Sequence, residues 1–493
     1  MRSFLAALLG AALACAAPAR LAPAAPAGAV PAADRSRIPP AGPPPALRVP
    51  APERFVLSNG LAVRLVEYHR LPIVALHLVL DAGGVHDPAD RPGLASFTAA
   101  MVTEGTRTRS ATRISDEVGF IGASLSAGAG FDAAFVSGSV LSRHLPRLVE
   151  IMADVTVNPA FPAEDFARVQ DQRRVALVQQ RDSPGAVAAK AFAGLFWGSH
   201  PYGHWLMGTE ASLEAMAPAD LRRHHAARWR PGAAELVVVG DVEAARFRPL
   251  LESAFAGWPA GAPAGAPPAA APAAGRRAVL VEKVGAPQTY VMMGMPGIAR
   301  GSPDYAPVQV AFQILGGGSA SRLFRNLREE KGYTYGTYAR ADARKLGGSS
   351  MVVGSVKAGQ TREALGALLA EVEALRKAPV SARELEDARS ALVLSLPSDF
   401  ATAAGIAGRL AEQVIHGLPD DSWERFAEAV RRVTADDVLR VARRDLDPAR
   451  LTTVMVGDPA VVRAQLDGLP IGSVEVRPDP AAAAPGPRVG AGG

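Results

Sequence analysis

The chain has 493 residues, more than one domain usually contains, so two or more domains are expected. Apolar residues make up 48% and charged residues 20%, the balance of a globular protein with enough apolar material for a core. The formal charge is +5, and the basic residues form no cluster with interleaved aromatics, which argues against a nucleic-acid partner.

The N-terminus has the pattern of an export signal. Arg2 supplies a positive start, an apolar run follows from Phe4 to Leu13, and small residues around Ala14 fit a cleavage site. The run is too short to span a bilayer, and no later stretch approaches 18 uninterrupted apolar residues. We expect a signal peptide over residues 1–14 and a periplasmic or secreted protein.

Cys15 is the single cysteine and directly follows this cleavage site, so we expect no internal disulfide in the mature chain. It is either a small residue of the signal peptide or a lipid-anchor site. Ala12 stands three positions earlier, where a lipoprotein signal usually has Leu, which favours the first interpretation. Membrane association is expected only if Cys15 is lipidated.

Low-complexity segments divide the rest of the chain. Residues 15–51 are rich in Ala and Pro and cannot bury enough apolar surface to fold, which predicts a flexible tether. A second such stretch, residues 257–276, predicts a linker, and residues 479–493 predict a disordered tail. Two domains are therefore predicted, over residues 52–256 and 277–478.

The first predicted domain mixes hairpins and helices. FVLSNGLAVRLVEY predicts a hairpin with Asn59-Gly60 at its turn, and IVALHLVLDAGG predicts a strand that runs into glycines. Helices are predicted from Leu94 and over Ala163–Gln180. This mixture predicts an α+β fold in which helices pack on a largely antiparallel sheet.

The second predicted domain repeats the first, which predicts a gene duplication. FVSGSV, ending at Val140, matches MVVGSV, ending at Val356. Further pairs stand 217 residues apart: Asp220 and Asp437 at the start of a helical segment, Pro231 and Pro448 at its end, and Gly240 and Gly457 after the next strand.

The segment RPGLASFTAAMVTEGT, residues 91–106, resembles the zinc helix of the pitrilysin/insulinase-type metallopeptidases, in the branch that includes mitochondrial processing peptidase and its bacterial relatives. That helix reads GLAHFLEHMLFKGT, where the two His of HxxEH ligate zinc and the Glu activates a water. By this resemblance the first His, the Glu and the second His positions are Ser96, Ala99 and Ala100.

The family's third ligand is a Glu on a later helix. The corresponding helix here offers Val175, Ala176 and Leu177, and no Glu occurs between Phe166 and Pro184. Zinc prefers imidazole, thiolate or carboxylate ligands, and none of these positions supplies one. The resemblance therefore implies that this chain binds no metal and is inactive alone.

HPYGH contains His200 and His204 four residues apart, which raises the question of a rebuilt metal site. Its Pro and Gly keep the two imidazoles from sharing a helix face, and HPYG is common in the family where zinc is bound elsewhere. We predict a structural loop.

The second domain contains GGGSASRLFRNLREEKGYTYGTY, which resembles the family's C-terminal motif. The resemblance implies that Arg328 and Tyr335 hold a peptide and stabilise its oxyanion at a facing zinc site. The alternative is that Arg328 pairs with a neighbouring Glu and Tyr335 packs in a strand. Gly316, Gly317 and Gly318 predict either an ordinary turn or a flexible loop that contacts peptide; they form no phosphate loop, because no Lys follows in the required pattern.

The resemblance covers nearly all of residues 52–478. In several members of the family one subunit bears HxxEH, and its partner lacks it while contributing substrate-binding residues. This implies a zinc-free subunit of a heterodimeric metalloendopeptidase, with a homologous HxxEH-bearing subunit that holds the zinc and a peptide as substrate. The alternative is a non-enzymatic structural or peptide-binding protein of the same fold.

Overall fold

A computed structural model describes residues 47–261 and 265–481 of the chain. The predicted signal peptide, Cys15, most of the tether and most of the tail lie outside the described residues. The described strands are Glu53–Val56 (β1), Ala62–Glu67 (β2), Ile73–Leu80 (β3), Ser124–Ala129 (β4), Ala134–Leu141 (β5), Ala234–Gly240 (β6), Arg277–Glu282 (β7), Gln288–Gly297 (β8), Thr334–Ala343 (β9), Gly348–Lys357 (β10), Thr452–Gly457 (β11) and Val474–Arg477 (β12).

Helices surround these strands, and a π-helical segment, Phe324–Glu330, precedes β9. The described α-helices are Leu94–Met101 (α1), Ala111–Phe120 (α2), Leu145–Val157 (α3), Ala163–Gln180 (α4), Pro184–Trp197 (α5), Glu210–Ala215 (α6), Pro218–Arg228 (α7), Ala244–Phe255 (α8), Tyr305–Gly316 (α9), Thr361–Lys377 (α10), Ala382–Asp399 (α11), Ala403–His416 (α12), Ser422–Arg432 (α13), Ala435–Asp445 (α14) and Pro459–Val462 (α15).

The strands form two six-stranded sheets in which five strands have the same order, and the edge strands β1 and β12 differ. The first sheet runs β1-β2-β6-β3-β5-β4 and the second runs β12-β7-β11-β8-β10-β9. Most neighbouring strands are antiparallel; β2 with β6, β7 with β11 and β7 with β12 are parallel. The matched sequences FVSGSV and MVVGSV lie in β5 and β10, which hold equivalent places. The α+β fold with one largely antiparallel sheet in each half is confirmed.

The predicted hairpin is also confirmed. β1 and β2 pair antiparallel, and the Asn59 side chain accepts a hydrogen bond from the Leu61 backbone at 3.0 Å. Gly60 has a φ of +93°, a backbone conformation that glycine adopts without steric cost. The Asn-Gly pair therefore lies in the turn that connects β1 to β2.

Each half contributes a helix to the outer face of the other half's sheet. Phe192, Phe196 and Trp197 of α5 bury against apolar side chains of β7, β8, β10 and β11. Reciprocally, Ile406 and Leu410 of α12 bury against β2, β3 and β6. Burying a side chain of this size contributes about 1.5–3 kcal/mol, so this exchange of helices holds the halves together.

Two helices start earlier than the sequence predicts. Asp220 and Asp437 were expected to begin their helices, but α7 and α14 begin two residues before them. Each carboxylate instead accepts a backbone hydrogen bond three residues back, from Ala217 at 2.9 Å and from Thr434 at 3.0 Å. The acidic residue stabilises the first turn from within it, because it satisfies a backbone N–H that has no helical partner.

Among the described residues no single helix is long and apolar enough to cross a bilayer. The pair α11 and α12 passes the same test only when joined, and it bends by 115° between its members.

Candidate functional site

A buried carboxylate lies at the N-terminal end of helix α1, where the family resemblance places the zinc ligands. Asp87 accepts hydrogen bonds from the backbone of Gly93 at 2.8 Å and of Ala95 at 2.7 Å, which satisfies two free N–H groups of the first turn. Gly93 has a φ of +91°, and a Cβ there would lie 2.6 Å from the Gly208 backbone. Burial raises the pKa of Asp87 to about 7, and the two backbone hydrogen bonds oppose that shift.

The three degenerate positions differ in what surrounds them. Ser96 donates through its hydroxyl to the carbonyls of Leu206 and Gly93, the latter at 3.1 Å. Ala99 is fully buried in the core of the first half, and Ala100 is partly buried. A hydroxyl committed to two carbonyls and two methyl groups offer no strong ligand to a metal.

The helix of the third ligand, α4, presents an arginine to this place. Arg173 donates to the Ser96 carbonyl at 3.3 Å and to the Ser96 hydroxyl, and its guanidinium lies 5.0 Å from the centre of the Phe97 ring. Burial lowers the pKa of Arg173 to about 10, so the group remains a cation at neutral pH. The sequence pattern does not predict this role of Arg173, because the family resemblance points only to a carboxylate in α4.

Of the positions considered for the third ligand, Val175 is 53% exposed and Leu177 is 7% exposed. Leu177 follows Arg173 by four residues and therefore lies on the same face of α4, in the apolar core that also holds Phe97 and Ala99. Ala176 is partly buried, so the three α4 positions considered for the third ligand carry Val, Ala and Leu side chains, and none is a carboxylate.

The HPYG segment is built from backbone contacts. His200 accepts from the Tyr202 backbone at 3.1 Å, and its other ring nitrogen lies 3.0 Å from the carbonyl of Pro268. Burial lowers the pKa of His204. Both ring nitrogens of His200 are engaged, which supports the structural interpretation, and the described residues hold no group of three or more His, Cys, Asp or Glu that could bind a metal ion.

Tyr202 of the same segment joins the two halves, a role that the sequence did not reveal. Its hydroxyl donates to the Asp132 carboxylate and accepts from the Leu346 backbone at 3.2 Å. Asp132 also accepts from the Lys345 backbone at 3.0 Å, and Arg344 lies 4.9 Å from the Tyr202 ring centre. The turn between β9 and β10 is thereby fixed to the first half.

Arg328 and Tyr335 lie together on the surface of the second half. The Arg328 guanidinium lies 4.4 Å from the centre of the Tyr335 ring and 4.6 Å from that of Phe324. Tyr335 is 80% exposed, so its side chain faces solvent and does not pack in the protein core. Arg328 is partly buried, and its guanidinium packs on these two aromatic rings.

The three glycines before this pair differ in their surroundings. A Cβ on Gly316 would lie 2.2 Å from the Ala339 backbone, and one on Gly317 would lie 2.3 Å from the Gln313 side chain. Gly318 faces open space. Close packing of α9 on β9 therefore requires Gly316, and Gly318 is the one with room beside it for a ligand.

Two family models match consecutive parts of the chain. Residues 63–210 match the model described as insulinase (peptidase family M16), and residues 215–392 match the model described as peptidase M16 inactive domain. The chain belongs to peptidase family M16.

Relatives support this assignment over most of the chain. An uncharacterized zinc protease of Mycobacterium tuberculosis is 26% identical over 412 residues, which cover 82% of this chain and 92% of that protein. One of Bacillus subtilis is 22% identical over 350 residues, covering 70% and 85%.

Two solved structures have the same fold. A peptidase M16 inactive domain from Pseudomonas fluorescens has a TM-score of 0.77 at 28% identity and covers 83% of this chain and 98% of that one. A protease from Helicobacter pylori has a TM-score of 0.75 at 18% identity and covers 83% and 100%.

The residues of this M16 chain do not fit the zinc ion of the family. The positions that correspond to HxxEH hold Ser and Ala, and the α4 positions considered for the third ligand hold Val, Ala and Leu. The guanidinium of Arg173 contacts the first of the HxxEH positions. These positions therefore supply no strong ligand to a zinc ion. That zinc resides in a partner subunit remains a prediction.

Proposed function

We propose that this chain is the zinc-free subunit of a heterodimeric M16 metalloendopeptidase, exported to the periplasm or secreted, and active only with a homologous HxxEH-bearing subunit. The observation that carries the proposal is the contact between the partly buried Arg328 and the exposed Tyr335. The second half, which contains Arg328 and Tyr335, keeps the family motif. In the first half, the positions of the zinc ligands hold Ser and Ala, which are not strong zinc ligands.

The pair is suited to bind a peptide carbonyl. The guanidinium presents N–H donors that no described carboxylate occupies, and the Tyr335 ring beside it restricts its orientation. Donors of this kind stabilise the charge that grows on a carbonyl oxygen during attack. Arg328 lies in a π-helical segment, a local geometry that is frequent at functional sites.

The neighbouring backbone supports peptide capture. β9, which carries Tyr335, is the last strand of its sheet, so one of its edges is unpaired within the described sheet. An extended peptide can pair with such an edge through its main chain, which reads backbone rather than side chains. A peptide added there would run past Tyr335.

The test is reconstitution. The chain and an HxxEH-bearing M16 homologue from the same genome are expressed separately and together, and cleavage of a fluorogenic peptide library is measured. We expect cleavage only by the pair, and Arg328→Ala should lower turnover by roughly tenfold to a thousandfold, as for the loss of one oxyanion donor.

Arg325→Ala is the matched control, because Arg325 lies in the same π-helical segment, is exposed and does not contact the Tyr335 ring. It should leave turnover unchanged. Equal turnover of Arg328→Ala and wild type would refute the role of Arg328. A pair that binds peptides without cleaving them would instead identify a non-enzymatic peptide-binding protein.

A further inference from the structure

We infer that Arg173 has replaced the metal ion: its guanidinium is the cation that joins α1 to α4, and it excludes zinc from this half of the molecule. The inference goes beyond the proposed function and holds whether or not a partner subunit exists. It rests on where the guanidinium lies and on which atoms it contacts.

The contacts connect the same two helices that a family zinc site would connect. Zinc in such a site draws its ligands from the HxxEH helix and from the later helix of the third ligand. Here Arg173 comes from that later helix and donates to both the carbonyl and the hydroxyl of Ser96, the first ligand position. The Arg173 guanidinium thus bridges α4 and α1, although the ligand positions carry no imidazole or carboxylate.

The side chains around Arg173 stabilise its positive charge. Phe97 presents its ring to the guanidinium at 5.0 Å, a favourable cation–π contact. Asp87, buried at the start of α1, is the acidic group that acts on Arg173 electrostatically. Asp87 and Arg173 flank the first turn of α1, and both helices are held by side chains of the chain itself.

A second cation at this place would be repelled. The guanidinium contacts the position of the first ligand, and its Nε is buried without a partner among the described residues. Two positive charges this close in a partly buried site repel each other strongly, because little water screens them. Restoring the ligands by substitution should therefore fail to restore zinc while Arg173 is present.

The experiment compares two full-length variants that carry Ser96→His, Ala99→Glu, Ala100→His and Leu177→Glu, one with Arg173 and one with Arg173→Gln. Each is stripped with chelator and titrated with Zn²⁺, and bound zinc is measured by elemental analysis. We expect about one zinc per chain only with Arg173→Gln, and an affinity lower by roughly tenfold or more when Arg173 is retained. Equal affinities in the two variants would overturn the inference.

A second measurement keeps the test decisive if the substituted ligands fail to assemble a site. Arg173→Gln alone should speed amide hydrogen exchange in α1 and leave α9, the equivalent helix of the second half, unchanged. Arg174→Gln is the control, since Arg174 is on the same helix but exposed and paired with Asp171 at 3.0 Å. Unchanged exchange in α1 of the Arg173→Gln chain would contradict a bridging role.

Discussion

Replacing Tyr202 by Phe removes one hydroxyl from the contact that joins the two halves, and its cost can be worked out from the neighbours. The hydroxyl is buried, donates to Asp132 and accepts from the Leu346 backbone at 3.2 Å. Burial, and secondarily the hydrogen bond to Asp132, raises the pKa of Tyr202, so the group remains a protonated donor at all ordinary pH values.

Two groups lose a partner in Tyr202→Phe. Asp132 keeps the hydrogen bond from the Lys345 backbone at 3.0 Å, but the Leu346 N–H loses the Tyr202 hydroxyl. A hydrogen bond to a charged group contributes about 1.5–3 kcal/mol, and an orphaned buried donor costs about 1–3 kcal/mol. Water can enter beside the smaller side chain and recover part of this, so we expect a loss of about 2–4 kcal/mol in the free energy of unfolding.

The assay is urea unfolding followed by tryptophan fluorescence and by circular dichroism, with coincidence of the two curves as the check on a single transition. Because the substitution weakens the contact between the halves, we expect both curves to shift together to lower urea concentration. Tyr338→Phe is the control, since the Tyr338 side chain is 52% exposed, and it should change stability by less than about 0.5 kcal/mol. If Tyr202→Phe matches that control, Tyr202 does not join the halves.

The remaining predictions concern a buried carboxylate and the glycines of the second half. The pKa of Asp87 is raised to about 7, above its value of roughly 3.9 in an unfolded chain, so this group's contribution to stability is lost as pH rises from about 4 to 7. Asp87→Asn should flatten that dependence when thermal midpoints are compared at pH 5 and pH 8, and an unchanged slope would contradict it. Gly316→Ala should destabilise the chain by roughly 1–3 kcal/mol because its Cβ would meet the Ala339 backbone at 2.2 Å, whereas Gly318→Ala, which faces open space, should be close to neutral in the same denaturation assay.

Much of the fold followed from local pattern. The Asn59-Gly60 turn, the start of α1 at Leu94 and the span of α4 were all predicted correctly, because turn chemistry and hydrophobic period act over a few residues. The lack of zinc ligands at Ser96, Ala99 and Ala100 also followed from the sequence, because no arrangement of Ser and Ala side chains provides a strong zinc ligand.

The tertiary structure decided what occupies the place of the missing ligands and what joins the halves. Arg173 meets Ser96 from 77 residues away, and Tyr202 meets Leu346 across 144 residues. The exchange of α5 and α12 between the sheets and the close packing that requires Gly316 are contacts of the same kind. A sequence shows which side chains can donate, accept or pack, but such contacts depend on distances between segments that only the folded chain brings together.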